Sequence, residues 1–275
     1  RNDISSALPV ENNSYFYHSE ALSFVFSELL DLPMLDFGKV RVNYAEVGND
    51  TGPQRTTTAY TKNDNFGTAI LFSYPTTVNN ASLLPEQLVS YEAGLELAGL
   101  KKRLTFDFAL YKTLSQDQIV SVELSKATGA SFKWLNGGEI ENKGVELSLG
   151  YDIIKNDNLK WNLTANWAKN VSNVNSLAPG IDNYQINSFQ GGVSLNATVG
   201  QPYGVLRGTG YQFHSNGQRI INAAGYPVAI ADQVIGNPNP NWTGGVMNTF
   251  NYKGIQLSFL IDVSNGGDVY SLDMH

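Results

Sequence analysis

The sequence predicts an all-β protein, a segment of an antiparallel transmembrane β-barrel with about eight long strands. Three observations carry that prediction. Apolar and polar residues alternate through several stretches, so that bulky side chains recur at every second position. The composition suits strands and loops, with only 16% charged residues beside 26 Gly, 14 Tyr and 13 Phe. The joins between alternating stretches are short at one end and long at the other, which is how outer-membrane barrels are connected.

In chain order, Leu22, Phe24 and Phe26 open the pattern, and after a short connection near Asp31 and Pro33 come Val40, Val42 and Tyr44. Tyr91, Ala93, Leu95 and Leu97 alternate with Glu92, Gly94 and Glu96, and a turn around Leu100 leads to Leu104, Phe106, Phe108 and Leu110. Val145, Leu147, Leu149 and Tyr151 are followed, across a polar connection at Asn156, by Trp161, Leu163, Ala165 and Trp167. The last pair is sharpest. Val246, Phe250 and Tyr252 share a face in which Asn248 is the lone polar member, Lys253-Gly254 is a two-residue turn, and Ile255, Leu257, Phe259, Ile261 and Val263 return on the same face. Phe250, Tyr252, Ile255, Leu257, Phe259 and Ile261 are therefore expected to face lipid.

Each stretch approaches the roughly 10 residues that cross a bilayer at a tilt. The long joins, 48–85, 115–140 and 171–240, are rich in Asn, Gly, Ser and Thr and are expected to be extracellular. The longest carries alternation at 203–213 and 219–222, which predicts a hairpin folded within it. Aromatic residues near strand ends (Tyr17, Tyr44, Tyr91, Tyr111, Tyr151, Trp161, Trp167, Trp242, Tyr252) suit girdles at membrane interfaces. A soluble β-sandwich shares the one-sided alternation, but its strands usually run about 5–6 residues.

The remaining composition narrows the function. A formal net charge of −7 offers no basic stripe, so nucleic acid is not an expected partner. No cysteine is present, which removes disulfides and thiolate metal sites. His18, His214 and His275 lack metal-ligand spacing, and Asn49-Asp50-Thr51-Gly52 and Asn63-Asp64-Asn65 lack that of a calcium loop, so no metal or cofactor is expected. Glu139, Glu141 and Glu146 are better explained as polar strand residues than as a hydrolytic carboxylate pair, and no enzyme is expected. Sugar is commonly held by aromatic faces and amide groups in a cavity. Tyr60, Phe66, Trp134, Asn136, Tyr184, Phe189, Tyr203 and Tyr211, all in the long joins, are the candidates for ligand or partner contact. Both ends look cut: Arg1-Asn2-Asp3-Ile4 resembles mid-protein sequence, and the chain stops at His275 with a strand or loop under way.

Several blocks also resemble a known family. GEIENKGVE at 138–146, GNPNPNWTGG at 236–245 with FNYKG at 250–254, and GGDVYS at 266–271 are similar to signatures of SusC/RagA-type TonB-dependent outer-membrane transporters of Bacteroidetes. VRVNY at 40–44 with GND at 48–50, and LPE at 84–86 ahead of YEAG at 91–94, match further blocks in family order. The resemblance implies a 22-stranded barrel with an N-terminal plug and TonB box, of which plug, TonB box, first strands and last strands are missing here. It also implies a SusD-like surface lipoprotein as partner and TonB-driven uptake of oligosaccharides or, in some members, peptides. A surface adhesin or a soluble carbohydrate-binding β domain is the alternative of another class.

Overall fold

The computed structural model describes residues 1–30 and 32–274; Asp31, on which the first short join was placed, and His275 lie outside the described residues. Two short strands, β1 (Asn2–Ile4) and β2 (Ser14–Phe16), pair ahead of the main sheet. That sheet comprises four antiparallel hairpins: β3 (Ser19–Val25) with β4 (Leu35–Asn49), β8 (Glu86–Gly99) with β9 (Leu104–Gln116), β12 (Glu139–Lys155) with β13 (Leu159–Ser176), and β18 (Trp242–Tyr252) with β19 (Ile255–Asn265). The first long join carries β5 (Thr61–Lys62), β6 (Phe72–Ser73) and β7 (Thr77–Val78); the second carries β10 (Ile119–Glu123) and β11 (Phe132–Asn136). The third carries β14 (Asn183–Phe189), β15 (Val193–Thr198), β16 (Val205–Tyr211) and β17 (Ala229–Gly236).

The eight long strands lie in the order β19-β18-β13-β12-β9-β8-β4-β3. Their sequence order is thus a meander, as in an up-and-down barrel wall. Register makes the apolar stripes continuous. Phe24 pairs with Val40, Val40 with Leu95, Leu95 with Phe108, Phe108 with Leu147, Leu147 with Trp167, and Leu163 lies opposite Asn248, which lies opposite Phe259. Because directly paired residues share a face, one side of the sheet is apolar from the tight-turn end up to the level of Leu110 and Val145. The other side collects Arg41, Glu92, Asp107, Glu146, Asn162, Asn166, Thr249 and Asp262.

Asn248, the lone polar member of the β18 stripe, is buried, and its Oδ1 accepts the Trp161 indole N–H at 3.2 Å. Beside it, Trp161 stacks on Phe250 and Phe250 on Phe259, with ring centroids 5.1 and 6.3 Å apart, tying three strands together. Lys253 (φ 49°) and Gly254 (φ 86°) both adopt positive φ, as a type I′ hairpin turn requires.

Four details differ from expectation. β3 is only seven residues long, and Phe26 leaves it for a single 3₁₀ turn, placing its ring over Gly38. Tyr111 belongs to the polar face rather than an apolar girdle: its ring covers Gly144 and its hydroxyl reaches Asn170 Oδ1 at 3.2 Å. The third long join holds a four-stranded antiparallel sheet instead of one hairpin. Residues 219–222 form no strand, contributing only the isolated bridges Phe213–Arg219 and Ile221–Pro227. Among the described residues no helix is long and apolar enough to cross a membrane, which says nothing of crossing by strands.

Candidate functional site

The long joins gather at the end of the sheet opposite the tight turns. The first and second are fused. β7 pairs with β11 in parallel, and β11 with β10 antiparallel. The Asn136 amide clamps the seam: its Oδ1 accepts the Leu84 N–H at 2.8 Å, while its Nδ2 donates to the carbonyls of Leu84 (2.8 Å) and Asp117 (2.9 Å). The Arg55 guanidinium lies 3.8 Å above the Trp134 ring, covering one of its faces. Trp134 and Asn136 are thus engaged in holding the joins together.

The third join packs around its own small core of Val193, Ala197, Val205 and Leu206. Within that core Asn196 is buried but satisfied, donating to Ser194 Oγ at 2.7 Å and accepting from Asn183 Nδ2 at 3.2 Å. Tyr203 anchors the join to the sheet: its N–H donates to Ser172 Oγ (3.1 Å) and its carbonyl accepts from Asn239 Nδ2 (2.9 Å). Arg207, 2.8 Å from Asp232 Oδ1, holds that carboxyl below the usual carboxylate range by a direct hydrogen bond. Phe189 lies 6.4 Å from the Tyr270 ring, whose hydroxyl donates to the Gln190 carbonyl at 2.6 Å.

Tyr60, Phe66, Phe189, Tyr203 and Tyr211 are the exposed members of the expected set. Tyr60 packs edge-on against Tyr74 at 5.8 Å, Phe66 sits on an isolated bridge with Ala69, and Tyr211 carries the Arg219 guanidinium 4.7 Å from its ring. The eight candidates do not converge on one platform. Tyr184 lines a groove of about 610 Å³ between β10 and β14. Its walls are Ser121, Val122, Glu123 and Phe132 on one side and Gly180 to Gln185 on the other. Sequence reasoning missed the rest of that lining because nothing in residue type marks it.

The polar face of the sheet holds a second constellation. Arg41 on β4 reaches across Gly94 of β8 to Asp107 on β9, with Nη1 and Nη2 at 3.0 and 3.1 Å from its two carboxylate oxygens, while Nε lies 3.1 Å from Glu92. A shallow cavity of about 270 Å³ beside it is lined by Asp107, Glu146, Ser148, Asn166 and Thr243 among others. Among the described residues no three His, Asp or Glu side chains could hold a metal ion, and no buried side-chain polar atom lacks a hydrogen-bond partner.

The model of the TonB-dependent receptor-like β-barrel family matches residues 5–270. The chain belongs to that family. Among curated proteins it is similar to TonB-dependent receptor P26 of Formosa agariphila, at 27% identity over 304 residues, covering 100% of this chain and 30% of that protein. It is likewise similar to TonB-dependent receptor P3 of the same organism, at 24% identity, covering 98% of this chain and 30% of that protein. The chain thus spans about a third of the length of these curated relatives. Among solved structures, the RagAB peptide transporter matches with a TM-score of 0.78 at 21% identity, over 95% of this chain and 30% of the matched one. That likeness establishes a shared fold, and it agrees with the SusC/RagA resemblance of the motifs.

Proposed function

We propose that this chain is the lipid-facing wall, lumen lining and loop crown of a SusC/RagA-type importer in the outer membrane of a Gram-negative bacterium of the Bacteroidetes. The observation that carries this reading is the eight-stranded meander with one continuous apolar face, matched by the family over nearly its whole length. In the complete protein, a closed barrel hides both free edges of this sheet. Phe250, Tyr252, Ile255, Leu257, Phe259 and Ile261 then meet lipid, and the face bearing Arg41 and Asp107 lines the lumen.

An oligomeric nutrient, an oligosaccharide or a peptide, is captured at the loop end beneath a SusD-like lipoprotein. TonB then acts on the plug to open the path. The loop joins 48–85, 115–140 and 171–240 supply the capture surface; the fusion of the first two through β7 and β11 supports a preformed one. The chemistry is binding and gating rather than bond-making.

The test is to purify the full-length parent from outer membranes in mild detergent and identify its companions. A stoichiometric SusD-type lipoprotein, together with uptake that stops when TonB is deleted, is the expected result. A parent found in a soluble fraction, or in the membrane with no lipoprotein and TonB-independent uptake, overturns the proposal.

A further inference from the structure

We propose that the groove between β10 and β14 takes an extended peptide as an added β-strand; the proposal rests on the importer reading above and names its cargo. The argument lies in where backbone groups point. At the two ends of β10, the Leu124 N–H donates to the Ser131 carbonyl at 2.8 Å, and the Gly137 N–H donates to the Gln118 carbonyl at 3.0 Å. Hydrogen-bonded pairs alternate along an antiparallel ladder, so Val120 and Val122 bond to β11 while Ile119, Ser121 and Glu123 aim N–H and C=O away from it. The Ile119 N–H is already taken by Glu86 Oε1 at 2.8 Å. The open edge therefore begins at Ser121.

The opposite wall repeats the arrangement. The Val199 N–H donates to the Asp182 carbonyl at 2.9 Å, and Tyr184 lies opposite Ala197. Asn183 and Gln185 consequently turn their backbone groups away from β15. β14 is the edge of its four-stranded sheet and β10 the edge of its three-stranded one. Among the described residues, two unpaired edges thus border one groove, which is the feature that captures a strand through its main chain. A sugar chain offers no such ladder of donors and acceptors at strand spacing.

The side chains add a preference. Glu123 and Asp182 are the charged residues of the lining, and neither forms an ion pair among the described residues. Phe132 and Tyr184 supply apolar contact in the same walls. A peptide with lysine or arginine beside apolar side chains meets both.

The experiment uses the full-length parent with its co-purifying partner and a labelled mixture of Lys- and Leu-containing heptapeptides. Binding should slow hydrogen exchange at the Ser121, Glu123, Asn183 and Gln185 amides. The same peptides N-methylated at alternate amides should bind roughly tenfold more weakly, since several main-chain bonds are lost. Ser121→Pro removes one outward N–H without touching a β10–β11 bond and should weaken binding by a similar factor, whereas Ser121→Ala should not. If Ser121→Pro fails to fold, the N-methylated peptides on the unaltered protein decide. Equal binding of N-methylated peptides overturns the proposal. So does protection of the same amides by mixed malto- and xylo-oligosaccharides but not by peptide, or protection that the lipoprotein alone produces. Failure here with TonB-dependent uptake intact sinks only the peptide site; loss of outer-membrane residence or of TonB dependence sinks the importer reading itself.

Discussion

Asn248 shows how a polar residue survives on a face meant for hydrocarbon. Its Oδ1 satisfies the Trp161 indole N–H, and in a bilayer no water stands ready to replace either partner. Asn248→Ala should therefore destabilise the full-length barrel by about 1–3 kcal/mol, because a buried donor is left unpaired. Combining Asn248→Leu with Trp161→Phe removes donor and acceptor together and should cost less than the sum of the two single changes. Urea unfolding in lipid vesicles measures both. Gly94 makes a second case. A Cβ there would stand 2.5 Å from the Arg41 guanidinium carbon, which is pinned by Asp107 and Glu92. Gly94→Ala should displace that fork at a cost of about 1–2 kcal/mol, and little of the cost should remain when Arg41→Ala is already present. The Asn248 anomaly was visible in the sequence; its resolution was not, because Trp161 lies 87 positions away and only the register of β13 on β18 brings them together.

At the scale of the element, alternation was a sufficient guide to the long hairpins. It is a local signal with a period of two, and Lys253-Gly254 carried its own turn chemistry. The β18–β19 hairpin tests the face assignment directly. Leu257→Arg in the full-length barrel should cost about 2–4 kcal/mol if the residue lies near the midplane, while Ser258→Arg, one position on and on the polar face, should cost under about 1 kcal/mol. Equal costs would mean that the two faces are misassigned. The turn between β8 and β9 was less legible. Leu100, Lys101 and Lys102 all adopt positive φ (56°, 60° and 57°), and the Lys102 N–H is held by the Asp36 carboxylate of the preceding hairpin at 2.7 Å. Left-handed backbone disfavours side chains with a Cβ, so Lys101→Gly should raise stability by about 1 kcal/mol, read as a shift in the unfolding midpoint. The loop strands escaped sequence reading for a different reason. β7 meets β11 through a parallel pairing of only two residues, and the openness of the β10 and β14 edges is a property of backbone direction that no residue type encodes.

For the whole molecule, on the importer reading, the charged residues that flank the apolar face set its depth in the bilayer. Above Leu110 and Val145 on the loop side stand Lys112 and Lys143, both bound to Glu141 at 2.7 and 3.1 Å. Below Leu104 and Tyr151 come Lys101 and Lys102 in the β8–β9 turn and Lys155 at the end of β12. Roughly nine residues at about 3.3 Å each, tilted near 40°, span about 23 Å, close to the apolar band of an outer-membrane barrel. Lysine stems reach from such a boundary to the headgroups, and Tyr44, tilted against Tyr91 with ring centroids 5.1 Å apart, occupies the same level. On the importer reading, the sheet then carries its own address in the membrane, with loops outward and tight turns inward. Spin labels on single cysteines introduced into the full-length barrel read that address. A label at Leu149 should relax with dissolved oxygen and ignore an aqueous nickel chelate. One at Lys143 should respond to the chelate, and one at Ser148 should report the lumen. If Ser148 is the site protected by lipid, the barrel is inside out relative to this assignment; if Leu149 and Lys143 respond alike, the lysine row does not mark the interface.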